Sequence, residues 1–137
     1  TVINFFIDCI ASGNPLTVYE PGVQSRNFIH IKDVAEVYIK STERLLQDLD
    51  DGTTGVTTYE VASDDDPSVM QVAETIAQFA EEEIGVNPEV LLVENPRQGE
   101  AVVEEFTVDT SRTREELGWE PTHTIEESIR TLLRRHT

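Results

Sequence analysis

Arg26 and Arg97 are the side chains of this sequence best suited to bind a charged ligand. Each stands beside a turn signal, Pro21-Gly22 before the first and Asn95-Pro96 before the second, in a chain where 27 acidic residues face 10 basic ones. A planar, permanently charged guanidinium grips a diphosphate through two parallel hydrogen bonds, which lysine's point charge does not. The residues alone leave a second reading open, in which each arginine pairs with one of the many carboxylates. Tyr19 closes the run Leu16-Thr17-Val18-Tyr19. An aromatic at a strand end either flanks a nucleobase or packs at the edge of a core. His30, His123 and His136 show no metal-ligand spacing with one another or with Cys9, so no metal site is expected. His30 reads as a structural histidine, Asp33 as a helix cap, and Asp64-Asp65-Asp66 and Glu81-Glu82-Glu83 as solvated faces. No residue is assigned a catalytic role.

The elements that must position these side chains follow from periodicity and caps. Val2, Ile3, Phe6, Ile7 and Ile10 recur at helical spacing, and Ser12-Gly13-Asn14-Pro15 stops that helix. Leu16 to Tyr19 and Arg26 to Ile29 read as short strands. A helix opened by Asp33, with Glu36 completing a capping-box-like pair, presents Val34, Ala35, Tyr38, Ile39, Thr42, Leu45 and Leu46 on one face. Asp48 to Thr54 is a polar loop. Thr58 to Ala62 alternates like a strand. Ser68 to Ile84 is a helix with a Ser68–Gln71 capping box, Glu89 to Val93 a strand, and Asn95 to Gly99 a loop. Asp109 or Thr110 caps a short helix that Gly118 ends. Thr124–Glu127 is a capping box for a last helix with Ile125, Ile129, Leu132 and Leu133 facing inward. Helices and short strands alternate without a dividing linker, so residues 1-137 are expected to form a single α/β domain with about five helices.

Composition bounds the partners. A net charge of −17 repels a phosphate backbone, so nucleic-acid binding is not expected. Lys32 and Lys40 are the only lysines. An acidic, lysine-poor surface stays hydrated in multimolar salt, and the chain reads as the cytoplasmic protein of a halophile, with an ordinary acidic protein as the alternative. The single cysteine, Cys9, lies among apolar residues and reads as a core filler. Apolar runs are too short to span a bilayer, and no signal peptide is visible. The sequence opens at Thr1 within a helical pattern, which reads as an excised or processed piece of a larger protein.

Four motifs in order carry a family resemblance. Leu16-Thr17-Val18-Tyr19-Glu20-Pro21-Gly22-Val23-Gln24-Ser25-Arg26-Asn27-Phe28-Ile29-His30-Ile31-Lys32-Asp33-Val34-Ala35 comes first. Thr58-Tyr59-Glu60-Val61-Ala62-Ser63, then Asn95-Pro96-Arg97-Gln98-Gly99-Glu100, then Asp109 to Pro121 with Leu117-Gly118-Trp119 follow. Together they resemble the substrate side of the NAD-dependent epimerase/dehydratase family, the extended short-chain dehydrogenases that act on nucleotide sugars. The resemblance covers nearly the whole chain. It implies a small C-terminal substrate-binding domain in which Arg26 and Arg97 contact the phosphates or ribose of a nucleotide sugar, and Val18 and Tyr19 line the base pocket. Five positions depart from the family pattern: Glu20 replaces Gly, Pro21 Asp or Asn, Glu60 Asn, Ala62 Gly and, more mildly, Glu100 Asp. The resemblance further implies an N-terminal Rossmann half holding NAD, and a homodimeric parent.

That half is not expected here. Gly52-Thr53-Thr54-Gly55 lacks a third glycine and follows no strand, so no dinucleotide-binding turn is present. After Tyr19, Tyr38 and Tyr59 the fourth residues are Val23, Thr42 and Ser63, so the family's Tyr-x-x-x-Lys pair is missing. The chain is therefore expected to bind no cofactor and to be inactive alone. Two rivals stand beside this reading: a non-catalytic scaffold domain of the same fold, and an extended reductase acting on a non-nucleotide substrate.

Overall fold

The first helix, α1 (Val2–Ala11), buries Ile3, Phe6, Ile7 and Ile10 on one face and leads into β1 (Leu16–Tyr19). The computed structural model describes residues 1–97, 99 and 107–135; Gln98, Glu100 and His136, which figured in the sequence reading, lie outside the described residues. The order continues α2 (Ile31–Asp50), α3 (Val69–Ile84), β2 (Val90–Val93), α4 (Ser111–Leu117) and α5 (Ile125–Arg135). The described residues thus form an α/β structure of five helices and two short parallel strands. β1 and β2 pair with Leu16 beside Val90 and Tyr19 beside Val93.

Two hydrophobic clusters result. The larger joins α1, β1, α3 and α5 through Phe6, Ile7, Leu16, Val18, Val72, Ile76, Ile129 and Leu133, with Cys9 partly buried against it. The smaller is built from Val37, Leu117 and Trp119, with Ile29, Tyr59 and Val61 packed on them. Helix ends follow local chemistry. Ser68 and Gln71 close the expected capping box of α3, and Gly85 ends it in the left-handed region at φ 67°. Thr124 and Glu127 bond reciprocally at the start of α5 (3.2 and 3.3 Å). Asp109 accepts the Ser111 N–H at 2.9 Å, and Gly118 ends α4.

Several expectations are corrected. Arg26 to Ile29 is extended but is no strand; Arg26 N–H and Phe28 N–H donate to the carbonyls of Pro67 and Asp65, and the Asn27 amide to Ser63 and Asp65. A loop rather than a ladder lies alongside. Thr58 to Ala62 is likewise no strand, because among the described residues no neighbouring strand pairs with it. Asp33 does not cap α2. His30 does, accepting the Lys32 N–H on Nδ1 at 3.1 Å, while Asp33 turns into the protein at 1% exposure. Glu36 pairs with Lys40 instead of completing a box. The apolar face expected of α2 is largely uncovered, with Tyr38 73% and Ile39 60% exposed.

The acidic runs are also more than solvated faces. Asp64 pairs with Arg114, and Asp65 accepts the Ile125 N–H at 3.0 Å. Glu82 and Glu83 receive Arg130 and Arg134, tying α3 to α5. The Arg130 guanidinium also lies over the Phe79 ring, 3.8 Å from its centroid.

Candidate functional site

The two parallel strands decide where the site lies. Because Tyr19 sits beside Val93 and Glu20 N–H donates to the Val93 carbonyl at 2.8 Å, both chains leave the sheet at one edge. From that edge β1 runs into the Glu20-Pro21-Gly22 turn, and β2 into the loop carrying Arg97. Ligands of open α/β sheets bind beyond the carboxyl ends of the strands, where such loops gather. Pairing over four residues therefore brings Tyr19 and the Arg97 loop together from 78 positions apart (97 − 19).

Arg26 follows the turn at the start of α3, its N–H directed to the Pro67 carbonyl. After the turn, Gly22 and Gln24 offer their carbonyls to Met70 and Val69 N–H (3.0 and 3.1 Å), and Ser25 bridges Ser68. The segment thus lies across the N-terminus of α3. Gly22 makes this approach possible. Its φ is 72°, and a Cβ there would stand 3.1 Å from the Val18 side chain and 3.5 Å from that of Met70. Packed between β1, β2 and α3, the turn would be strained by any side chain here, which would also have to displace the Val18 methyl by a few tenths of an ångström.

The sequence-chosen residues have distinct settings. Val18 is 1% exposed and faces the core, so only its backbone is available to a ligand. Tyr19 is 52% exposed at the open edge. Arg97 is exposed, and its N–H donates to the Asn95 side chain at 2.9 Å, fixing the loop. Arg26 is exposed, and its Nη1 donates to the Ser25 carbonyl at 3.1 Å. Among the described residues no carboxylate pairs with Arg26, whereas Arg44, Arg112, Arg114, Arg130 and Arg134 all have acidic partners. Glu20 and Glu60 are exposed, and Ala62 is buried.

One residue escaped sequence reasoning. The Gln24 side-chain oxygen is buried, and among the described residues it has no hydrogen-bond partner. A buried acceptor left unpaired is costly, and Gln24 lies two residues from Arg26. Its place between Gly22 and Arg26 was the available signal; nothing in its type announced burial.

The described residues do not fit NAD. A dinucleotide's pyrophosphate needs a helix N-terminus whose N–H groups are open, following directly on a strand. On α3 the first N–H groups go to Gln24, Gly22 and Ser68; on α2 three go to His30; on α5 they go to Asp65 and Thr124. None of these helices follows directly on β1 or β2. Among the described residues no group of three or more His, Cys, Asp or Glu could hold a metal ion, and no helix is long and apolar enough to cross a membrane.

Asp33 is a structural centre. Its Oδ1 accepts from Thr122 Oγ1 (2.9 Å) and His123 Nδ1 (2.8 Å), and its Oδ2 from His123 N–H (3.1 Å). Burial raises its carboxyl, but these hydrogen bonds outweigh burial and hold it below the usual carboxylate range. The rings of His30 and His123 stack, centroids 4.3 Å apart.

Comparison with known proteins shows the family and the fold. The family model for GDP-mannose 4,6 dehydratase matches residues 1–132. UDP-glucuronic acid decarboxylase 3 of Arabidopsis thaliana is 29% identical over 134 residues, covering 93% of this chain and 33% of the plant protein. A dTDP-glucose 4,6-dehydratase of Neisseria gonorrhoeae is 28% identical over 126 residues, covering 87% of this chain and 34% of the bacterial one. Among solved structures, the UDP-glucose 4-epimerase of Thermotoga maritima with UDP-glucose superposes with a TM-score of 0.73 at 20% identity, over 98% of this chain and 38% of that one. At that identity the likeness shows the fold alone. The chain spans about a third of the length of the curated relatives it matches. The match across residues 1–132 makes this chain a member of the GDP-mannose 4,6 dehydratase family, within the NAD-dependent epimerases and dehydratases.

Proposed function

We propose that this chain is the nucleotide-sugar-binding portion of an NAD-dependent epimerase or dehydratase. The observation that carries the reading is the shared edge of β1 and β2, from which Tyr19 and the Arg97 loop both leave, together with an exposed Arg26, four residues beyond Gly22, that has no carboxylate partner among the described residues. In a chain of net charge −17, an arginine left without an acidic partner favours an anionic ligand. Arg26 and Arg97 hold the diphosphate, Tyr19 and the backbone of Val18 border the base, and the Glu20-Pro21-Gly22 turn sets their spacing.

In the parent enzyme NAD would supply transient oxidation of the sugar, and both NAD and the proton-transferring tyrosine belong to a Rossmann half outside this chain. Grip on the nucleotide positions the reacting carbon by binding energy remote from the chemistry. The parent is a homodimer, and the acidic, lysine-poor surface suits a cytoplasm of high salt.

The test is competition in the complete gene product. Bound UDP-glucose or dTDP-glucose should be displaced by the matching nucleoside diphosphate and left in place by free glucose. Displacement by the free sugar alone would refute a nucleotide handle and favour the reductase that takes a non-nucleotide substrate.

A further inference from the structure

Arg26 stands in a short extended segment that is tied down on both sides. Before it, Ser25 is 6% exposed and bridges Ser68 at the start of α3. The N–H of Arg26 points to the Pro67 carbonyl at 3.4 Å. Its guanidinium donates through Nη1 to the Ser25 carbonyl at 3.1 Å, a bond to the adjacent backbone that fixes it against no other element. A long, rotamer-rich side chain meets a ligand in one geometry only if the backbone that carries it is held.

The fastening on the far side is Asn27. Its Nδ2 donates to the carbonyls of Ser63 and Asp65 (2.9 and 3.3 Å), and its Oδ1 accepts the Ser63 N–H at 3.0 Å. These bonds run from one half-buried carboxamide to a loop 36 and 38 residues away. Phe28 N–H adds a bond to the Asp65 carbonyl at 3.0 Å, and Ser63 Oγ donates to the Phe28 carbonyl. The loop is held from behind as well, because Asp65 Oδ2 accepts the Ile125 N–H at the start of α5 at 3.0 Å. Asn27 therefore refers the backbone of Arg26 to α5, as Ser25 refers it to α3. A carboxamide suits this place because it donates and accepts from one planar group.

We infer that Asn27 is a positioning residue for Arg26, touching no ligand itself and holding the guanidinium where it can grip a nucleotide diphosphate. The inference rests on the proposed function, in which Arg26 binds that diphosphate. Without Asn27 the segment after Ser25 loosens, and the Arg26 side chain must be ordered again each time ligand binds, which lowers affinity. Asn27 thus contributes to binding only while Arg26 is present.

Calorimetric titration of UDP-glucose into the complete protein tests this. Asn27→Ala should weaken binding about tenfold. Asn27→Asp keeps the acceptor for the Ser63 N–H and loses both donated bonds, so it should fall between Asn27→Ala and the unmodified protein. In an Arg26→Ala background, Asn27→Ala should cost less than about twofold more. Damage to the fold in general would not discriminate in this way. Asn27→Asp carries the same comparison where Asn27→Ala does not fold. Equal losses with and without Arg26 would overturn the inference, since Asn27 would then act on the fold and not through Arg26. Undiminished binding by both Asn27 variants, beside weak binding by Arg26→Ala, would also overturn it and leave the proposed function standing. Undiminished binding by Arg26→Ala would refute the functional reading, and the inference with it.

Discussion

The Nδ1–H of His123 meets the Oδ1 of Asp33 at 2.8 Å, across 90 residues of sequence, and that one carboxylate fastens the chain after α4 to the first turn of α2. Thr122 and the His123 N–H add two more bonds to it, and Trp119 Nε1 donates to the Asp33 carbonyl at 3.0 Å.

Asp33→Ala should therefore be among the most destabilising single changes in the chain. It leaves three donors without their acceptor in a site 1% exposed, at a cost of about 3 kcal/mol. Asp33→Asn keeps the shape and should cost less. Urea unfolding of the two variants checks the order; equal stability of Asp33→Ala and the unmodified protein would remove Asp33 as a fastening point.

Asp33 and His30 each contribute to the pH dependence, in distinct windows. Asp33 is held below its ordinary range, so its contribution is complete above the unfolded value of about 3.9 and is lost as pH falls through its lower folded value. His30 is lowered by burial first and by His123 second, against a smaller opposing pull from Asp33. Its unfolded imidazole takes a proton near pH 6.5, before the folded one does, so stability should decline as pH drops from about 6.5. Protonating Nδ1 also removes the acceptor that caps α2. His30→Asn retains a capping side chain and does not titrate. Its stability should change less between pH 7 and 5 than that of the unmodified protein, as read from thermal midpoints; an identical decline would place the effect elsewhere.

Salt should stabilise this chain. Raising ionic strength from 0.1 to 1 M shortens the screening length from about 10 to about 3 Å. That weakens exposed pairs such as Arg134–Glu83, which are worth little, but it also relieves the self-repulsion of a −17 surface. The second effect should dominate, and the thermal midpoint should climb into multimolar KCl. A flat or falling midpoint would leave an acidic protein with no adaptation to salt.

What the sequence made legible was local. The Ser68–Gln71 and Thr124–Glu127 boxes, the Gly85 and Gly118 stops and the stripes of α1, α3 and α5 depend on residues three or four apart, and each is where spacing places it. What failed depended on partners far away or outside. Asp33 has the chemistry of a cap, but its bonds come from Thr122 and His123, and His30 takes the capping role. Arg26–Ile29 and the alternating Thr58–Ala62 were read as strands without any sign of what lay alongside. The α2 stripe told which face is apolar and could not tell that this chain leaves it uncovered. For the site, Tyr19 and Arg97 were chosen from residue type and resemblance. The strand pairing that puts Tyr19 beside the Arg97 loop, and the burial of Gln24, appear only in three dimensions.

The central claim is that Arg26 and Arg97 grip a nucleotide diphosphate, and calorimetric titration of UDP-glucose and dTDP-glucose into the complete protein tests it most directly. Loss of a charged hydrogen-bonding group costs about 1.5–3 kcal/mol, so Arg26→Ala and Arg97→Ala should each weaken binding roughly ten- to a hundred-fold. The double variant should depart from additivity, since both side chains hold one ligand. Arg135→Ala, at an exposed position on α5, should bind as the unmodified protein does, and NAD affinity should be unchanged throughout. If both site variants bind the two nucleotide sugars with undiminished affinity, the site is not where the strand edge places it and the nucleotide-sugar assignment is wrong.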